Sequence, residues 1–375
     1  MTYKDTNFSP IEWLLLLPFC RATSPAKNCN TFVPFELILT MDKKKITVKE
    51  LASLLGVSIS TVSKALNDSY EISNETKLRV QSLAKKYNYK PNRIAVNLKS
   101  GNTNTIGVIL PSILSNFFTT VLYGIEEVTT QENYSIITCF SNESHEREVT
   151  NTEILSNGSI DGLIVAIAEE TQIKRDFNHF KACIDDGNPI VMFDRVTDGI
   201  SCDKVVVDDF KDAYLATQHL IDRGCSKIVA VSTIDFLSVG KMRIKGFQKA
   251  LDESFSLSKE PNVVRSNVVE LESNLKTLLQ TRQVDAFFAV DEDSSLAAEK
   301  VVKKMGLRIP QDVCIIGYAG EKLAANLSPS LTTVNQNGIE IGRSAARIMI
   351  DRLKNKDLDF VTKIVKTQIE HRSSS

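Results

Sequence analysis

No two of the seven cysteines form a C-x-x-C pair, and an odd number cannot all pair with one another. That excludes a dense disulfide framework and a thiolate zinc site, and it points to a reducing compartment, the cytoplasm. No apolar run approaches the roughly 18 residues that a membrane-spanning helix needs. Sixteen glycines and ten prolines in 375 residues are too few for a collagen-like or low-complexity chain. The four histidines are scattered at 145, 179, 219 and 371. No H-E-x-x-H and no G-x-S-x-G stands anywhere, and Gly240-Lys241 lacks both the earlier glycine and the following Ser/Thr of a phosphate loop. No catalytic residue, metal site or cofactor is therefore expected, and an enzyme is the weaker reading.

What is present is an ordinary globular composition, 42% hydrophobic and 24% charged, with a formal net charge of −1. The near-neutral total conceals an asymmetry. Residues 41–101 carry 12 Lys/Arg against 5 Asp/Glu, whereas residues 102–375 carry 30 against 38. A small basic block on a large acidic one reads as a nucleic-acid-binding head on a body with another task. Residues 1–40 match neither part. Leu14–Leu17 is broken from any secretory pattern by Glu12 and Pro18. The segment reads as a non-homologous extension, either sequence upstream of a true start at Met41 or a disordered arm.

The basic block is dense with helix punctuation. Thr47-Val48-Lys49-Glu50 has the form of a capping box, and Leu51, Ala52, Leu54 and Leu55 follow at helical spacing. Gly56 ends that helix, Ser58 caps a second over 59–67, and Ser73 opens a third that stops before Pro91. Two short helices joined at a glycine, with small Ala52 between them, form the helix-turn-helix pattern. Its second helix enters the major groove with its first residues on base edges.

The run Gly56-Val57-Ser58-Ile59-Ser60-Thr61-Val62-Ser63-Lys64-Ala65-Leu66-Asn67, with Tyr87-Asn88-Tyr89-Lys90-Pro91-Asn92 downstream, resembles the lactose/galactose repressor (LacI/GalR) family. The resemblance implies that Ile59, Ser60 and Lys64 read bases. Lys64 stands where the family commonly has Arg, so the planar two-point grip on guanine is replaced by a single ammonium. Thr47, Ser58, Thr61, Ser63 and Asn67 suit phosphates, and for each of them helix capping is an equally good reading. Asn92 to Lys99 resembles the family's hinge. Asn92 would cap it, Ala95 would let paired hinges touch, and Leu98 would wedge into the minor groove.

Beyond Thr105, Val/Ile-rich runs begin near Ile106, Tyr134, Asp161 and Pro189, at spacings of 28, 27 and 28 residues. Further strands are expected near Val205, Lys227, Val263, Asp285 and Asp312. Little alternation within the runs indicates strands buried on both faces, hence parallel sheets under helices in two doubly wound lobes. Met305–Val313, Ile316-Gly317-Tyr318 and Pro329–Val334 extend the resemblance over about 44–370. The expected fold is α/β, a three-helix head (44–90), a hinge and linker (91–104), and a two-lobed body (105–370) like periplasmic binding proteins of type I.

In the family, ligand lies between the lobes. The resemblance places Phe117, Asp194, Arg195, Asp208, Arg243, Asp291 and Glu292 there. Phe117 could stack on a ring or serve the core, and Asp194-Arg195 could touch ligand or form a structural ion pair. Arg243 suits a diol or carboxylate. Asp208-Asp209 and Asp291-Glu292 depart from the family's usual Asp-Asn and Asn-Asp. Gly317–Gly320 lacks the acid and amide that commonly follow. Carboxylates, one arginine and an aromatic favour a polyhydroxy ligand such as a sugar. The expectation is a homodimeric, ligand-controlled regulator, most often a repressor, on a pseudo-palindromic DNA site, with no membrane partner. Its rivals are an activator and a sugar-binding protein without DNA function.

Overall fold

The computed structural model describes residues 46–89, 102–255, 263–281 and 284–375. The chain divides into two compact units at Pro91. The extension 1–40 and the hinge residues Asn92, Ala95 and Leu98 lie outside the described residues.

The first unit is three helices, α1 (Val48–Leu55), α2 (Ile59–Leu66) and α3 (Asn74–Lys86). Gly56 ends α1 at φ 66°, a conformation that costs other residues and not glycine. Leu51, Ala52, Val62, Ala65, Val80 and Ala84 form the buried core. Two of the four buried residues of α1 and α2 are alanines, which is why the short helices pack closely.

The second unit holds two six-stranded sheets. The first contains β1 (Thr105–Leu110), β2 (Ser135–Phe140), β3 (Gly162–Val165), β4 (Ile190–Phe193), β5 (Asp203–Val206) and β11 (Thr362–Ile364), in the order β11-β5-β4-β3-β1-β2. The second contains β6 (Ile228–Ser232), β7 (Val263–Arg265), β8 (Ala286–Ala289), β9 (Cys314–Gly317), β10 (Thr332–Asn335) and β12 (Gln368–Glu370), in the order β12-β10-β9-β8-β6-β7. All pairings are parallel except β12 on β10. The expected strands are all found. The sequence placed the opening of β5 two residues late, at Val205, and gave no sign of β11 and β12. Those two have three residues each and are largely exposed, so no apolar run marks them.

The chain crosses between lobes three times. After β5 it enters the second lobe as α8 (Asp209–Asp222), and after β10 it returns to the first as α13 (Gly338–Lys354). After β11 it crosses again to β12. Ile341, Ala345, Ala346 and Met349 of α13 accordingly share the core of the first lobe with Val121 and Ile125 of α4 (Asn116–Gln131). The α4–α13 crossing is set by glycine. A Cβ on Gly342 would lie 2.0 Å from the Val121 carbonyl oxygen, and one on Gly124 would lie 2.1 Å from that of Ile339. Gly342→Ala is therefore expected to destabilise the body by about 1–3 kcal/mol, because overlap with rigid backbone outweighs the roughly 1 kcal/mol of helix propensity that alanine adds. Urea denaturation checks this; a midpoint at or above that of the parent would mean that the helices part at no cost.

Candidate functional site

The head presents the first turn of α2. Ser58 is its N-cap, accepting from the Thr61 amide at 3.0 Å, and its hydroxyl also meets those of Ser60 (2.7 Å) and Thr61 (2.8 Å). Ile59 is 48% exposed and Ser60 is exposed, although Val62 and Ala65 one turn on are buried. An apolar side chain held outward beside hydroxyls at a helix start suits contact with base methyls and phosphates. Lys64 is exposed and paired with Glu71, so a base contact requires that pair to open. Thr47 closes the capping box, its hydroxyl accepting from the Glu50 amide at 3.2 Å. Ser63 is half-buried, and Asn67 is the exposed C-cap of α2.

In the body, the loops at the carboxyl ends of β1, β4, β6, β8, β9 and β10 surround a cleft of about 1000 Å³. That is where parallel sheets place their ligands. Arg243, on α9 (Ser238–Phe255), is 4% exposed and lies over the Tyr318 ring at 3.6 Å. Its Nε donates to Asp209 Oδ1 at 2.7 Å and its Nη1 to the Val290 carbonyl at 2.7 Å. No hydrogen bond to a described residue engages Nη2, and Arg243 lines the cleft. Two of its three nitrogens thus fix the guanidinium, and Nη2 remains for a ligand. The Tyr318 hydroxyl beneath it is buried without a partner.

Asp194 follows β4 at φ 56°, a left-handed conformation that aspartate tolerates better than most residues. Its carboxylate lines the cleft, accepts no hydrogen bond from a described residue, and lies 4.0 Å from Arg195 Nε. Burial, with Asp209 nearby, pushes its pKa up to about 6. Arg195 turns the other way, its Nη1 donating to both oxygens of Glu143 at 2.9 and 2.7 Å, and it lies over the Phe118 ring. The Asp-Arg pair is therefore divided, with the acid open to the cleft and the base in a structural ion pair. Phe117 is half-buried, lining the cleft while its ring meets Phe118 edge-on at 5.3 Å.

Asp208 departs from expectation. Its side chain caps α8 through the Lys211 amide at 3.0 Å and does not line the cleft, whereas its neighbour Asp209 holds Arg243. The helix begins at Asp209, which leaves Asp208 as its cap and turns Asp209 inward. Asp291 lines the cleft, but both of its oxygens are engaged. It accepts from the Thr233 amide and hydroxyl and from the Ser294 amide, capping α11 (Glu292–Lys304). Glu292 accepts from the Gly320 amide at 2.8 Å and from Asn116 Nδ2 of the first lobe at 3.2 Å. A second bridge runs from the Ser238 amide to Gln172 of the first lobe at 3.0 Å. Polar bridges between lobes thus stand at the cleft.

Comparison with known proteins matches residues 47–92 to the model of bacterial regulatory proteins of the lacI family, and 217–375 to a periplasmic binding protein-like domain. The HTH-type transcriptional repressor PurR of Haemophilus influenzae (strain PittEE) is 31% identical over 317 residues, covering 83% of this chain and 92% of its own. PurR of Aliivibrio salmonicida is 30% identical over 316 residues, covering 83% and 93%. The chain belongs to the lacI family of bacterial regulatory proteins.

This LacI-family chain is a DNA-binding transcriptional repressor, and not an enzyme. Its fold matches the lac repressor dimer bound to operator and the anti-inducer ONPF, with TM-score 0.77 and 20% identity over 88% of this chain and 99% of that one. A LacI family transcriptional regulator from Enterococcus faecium with bound ribose gives TM-score 0.65 and 25% identity, covering 72% and 98%. Among the described residues no helix is long and apolar enough to cross a membrane, and no cluster of His, Cys, Asp or Glu could hold a metal ion. Sequence reasoning missed Asp209, Tyr318, Glu143 and Asn116. All follow a strand or open a helix at the cleft end of a sheet, and that position was the available signal.

Proposed function

We propose that this LacI-family repressor acts in the cytoplasm as a homodimer on a pseudo-palindromic operator, and that a sugar-like polyhydroxy molecule in the cleft controls it. The head comprises residues 44–90, the hinge and linker 91–104, and the effector and dimerisation body 105–370. Ile59, Ser60 and Lys64 read bases. Thr47, Ser58, Thr61, Ser63 and Asn67 hold phosphates, and Asn92, Ala95 and Leu98 form the hinge that inserts at the centre of the site.

The observation that carries the effector reading is the pairing of one open donor with one open acceptor in the same cleft, Arg243 Nη2 and the Asp194 carboxylate. Neighbouring hydroxyls on a ring satisfy both, and Phe117 offers apolar surface to the ring itself. The ribose held by the Enterococcus faecium regulator supports the same class. Asp291 and Glu292 position loops around the ligand, and Glu292 senses closure through Asn116. The effector shifts DNA affinity only as far as it prefers one lobe arrangement over the other.

Selection of a random duplex library on the full chain, with and without a pool of aldoses, amino sugars and nucleosides, tests this. A two-fold-related site whose recovery changes with the pool is expected. Enrichment of a site without a dyad would overturn the homodimer, and no enrichment under either condition would overturn the assignment of α2 as the reading helix.

A further inference from the structure

Eight carboxylates and two guanidinium groups line the cleft. Pairing within the protein uses both cations. Arg195 is held by Glu143, and Arg243 by Asp209. Among the acids, Asp235 meets Arg265 Nε at 3.0 Å, while Asp291 and Glu292 accept from the backbone and side chains already described. Asp194, Glu169, Asp293 and Glu321 accept no hydrogen bond from any described residue. The cleft therefore keeps an excess of negative charge after every internal pair is counted.

Asp194 is the informative member. Its side chain is only 6% exposed, it lines the cleft, and the nearest cation is beyond hydrogen-bonding distance at 4.0 Å. A carboxylate so deeply placed loses its water and gains no donor in return, an arrangement that folding alone does not favour. Burial is also the first cause of the upward shifts of Asp194, Glu169 and Asp293. A phosphate or carboxylate ligand would add like charge to this field. A neutral sugar would give Asp194 a hydrogen bond and leave the charge uncompensated. A protonated amine supplies both the donor and the charge.

We propose that the effector is a cationic amino sugar or amino polyol, its ammonium seated on Asp194 within the field of Glu169 and Asp293, and its hydroxyls on Arg243. This rests on the reading of the cleft as the effector site. The lining rings Phe117 and Phe236 suit either the apolar face of a sugar or an ammonium.

Calorimetric titration of the full chain at pH 7.5 tests the proposal. Matched series built on glucose, galactose, mannose and ribose are used, each as neutral parent, amino sugar, N-acetylamino sugar and phosphate ester. In the series that binds, the amine is expected to bind roughly ten- to a hundredfold more tightly than its neutral parent, with the N-acetyl and phosphate forms weaker than that parent. Asp194→Asn should bring amine and parent within about threefold of each other, as expected when one charge-assisted hydrogen bond becomes neutral. Glu169→Gln, at a half-buried position, should narrow the preference by a smaller factor and serves if the first variant does not fold. A neutral parent or phosphate that binds as tightly as the amine overturns the cationic effector and leaves the cleft reading standing. Retention of the full amine preference in both variants overturns the seat on Asp194. No binding by any member of any series overturns both the amine and the polyhydroxy reading.

Discussion

Raising salt from about 50 to 200 mM should weaken operator binding by about 10³–10⁴-fold. The head supplies the reason. Residues 41–101 hold 12 Lys/Arg and only 5 Asp/Glu, and two of those acids, Glu71 and Asp68, already pair with Lys64 and Lys77. Two such heads on one duplex would neutralise about six to eight phosphates, for a log–log slope near −5 to −7. The body, with 30 basic and 38 acidic residues in 102–375, adds no attraction for DNA. Fluorescence anisotropy of a labelled duplex at several salt concentrations gives the slope directly. A slope near zero would mean that phosphates do not lead the interaction, and the basic block would then need another partner.

The same block was the most legible part of the sequence, for a local reason. Capping and termination act within a few residues, so Thr47, Glu50, Gly56, Ser58 and Ser73 could be read in place and recur as the observed caps. The strands were legible because parallel sheets covered on both faces require uninterrupted Val/Ile runs. Gly158, Gly187, Gly224 and Gly306, which stand between the apolar runs, all take positive φ. The edge strands β11 and β12 were not legible. They are ordered by crossovers from distant chain, the last stitched down by Ser374, which accepts from the Ile315 amide at 2.8 Å.

The site was legible by strand end but not by atom. Asp194 and Arg195 are adjacent in sequence and do opposite things, because the partner of Arg195 is Glu143, 52 residues away. Asp208 and Asp209 differ only in which side of a helix start they occupy. Nothing local predicts that Asp291 is already engaged by Thr233, 58 residues earlier. Long-range pairing decides which charged groups remain available to a ligand, and neither periodicity nor motif spacing encodes it.

At Arg243 that pairing also bears on stability. Arg243→Ala is expected to destabilise the body by about 3–5 kcal/mol, because it leaves Asp209 buried without its cation. Asp209 is 8% exposed and its pKa is already raised by burial, with only Arg243 holding it down. Without the arginine the folded-state pKa rises further above the unfolded value. Stability is then present while the carboxyl is protonated and is lost as pH rises through that pKa. The variant should therefore lose more relative to the parent at pH 8 than at pH 6. Adding Asp209→Asn removes the uncompensated charge and should restore part of the loss at pH 8, leaving the packing of the guanidinium on Tyr318 as the remainder. Urea denaturation of the two variants and the parent at both pH values separates the terms. A double variant no more stable than Arg243→Ala would show that the arginine acts through packing alone, and Asp209 would then be a bystander rather than the anchor that aims Nη2 into the cleft.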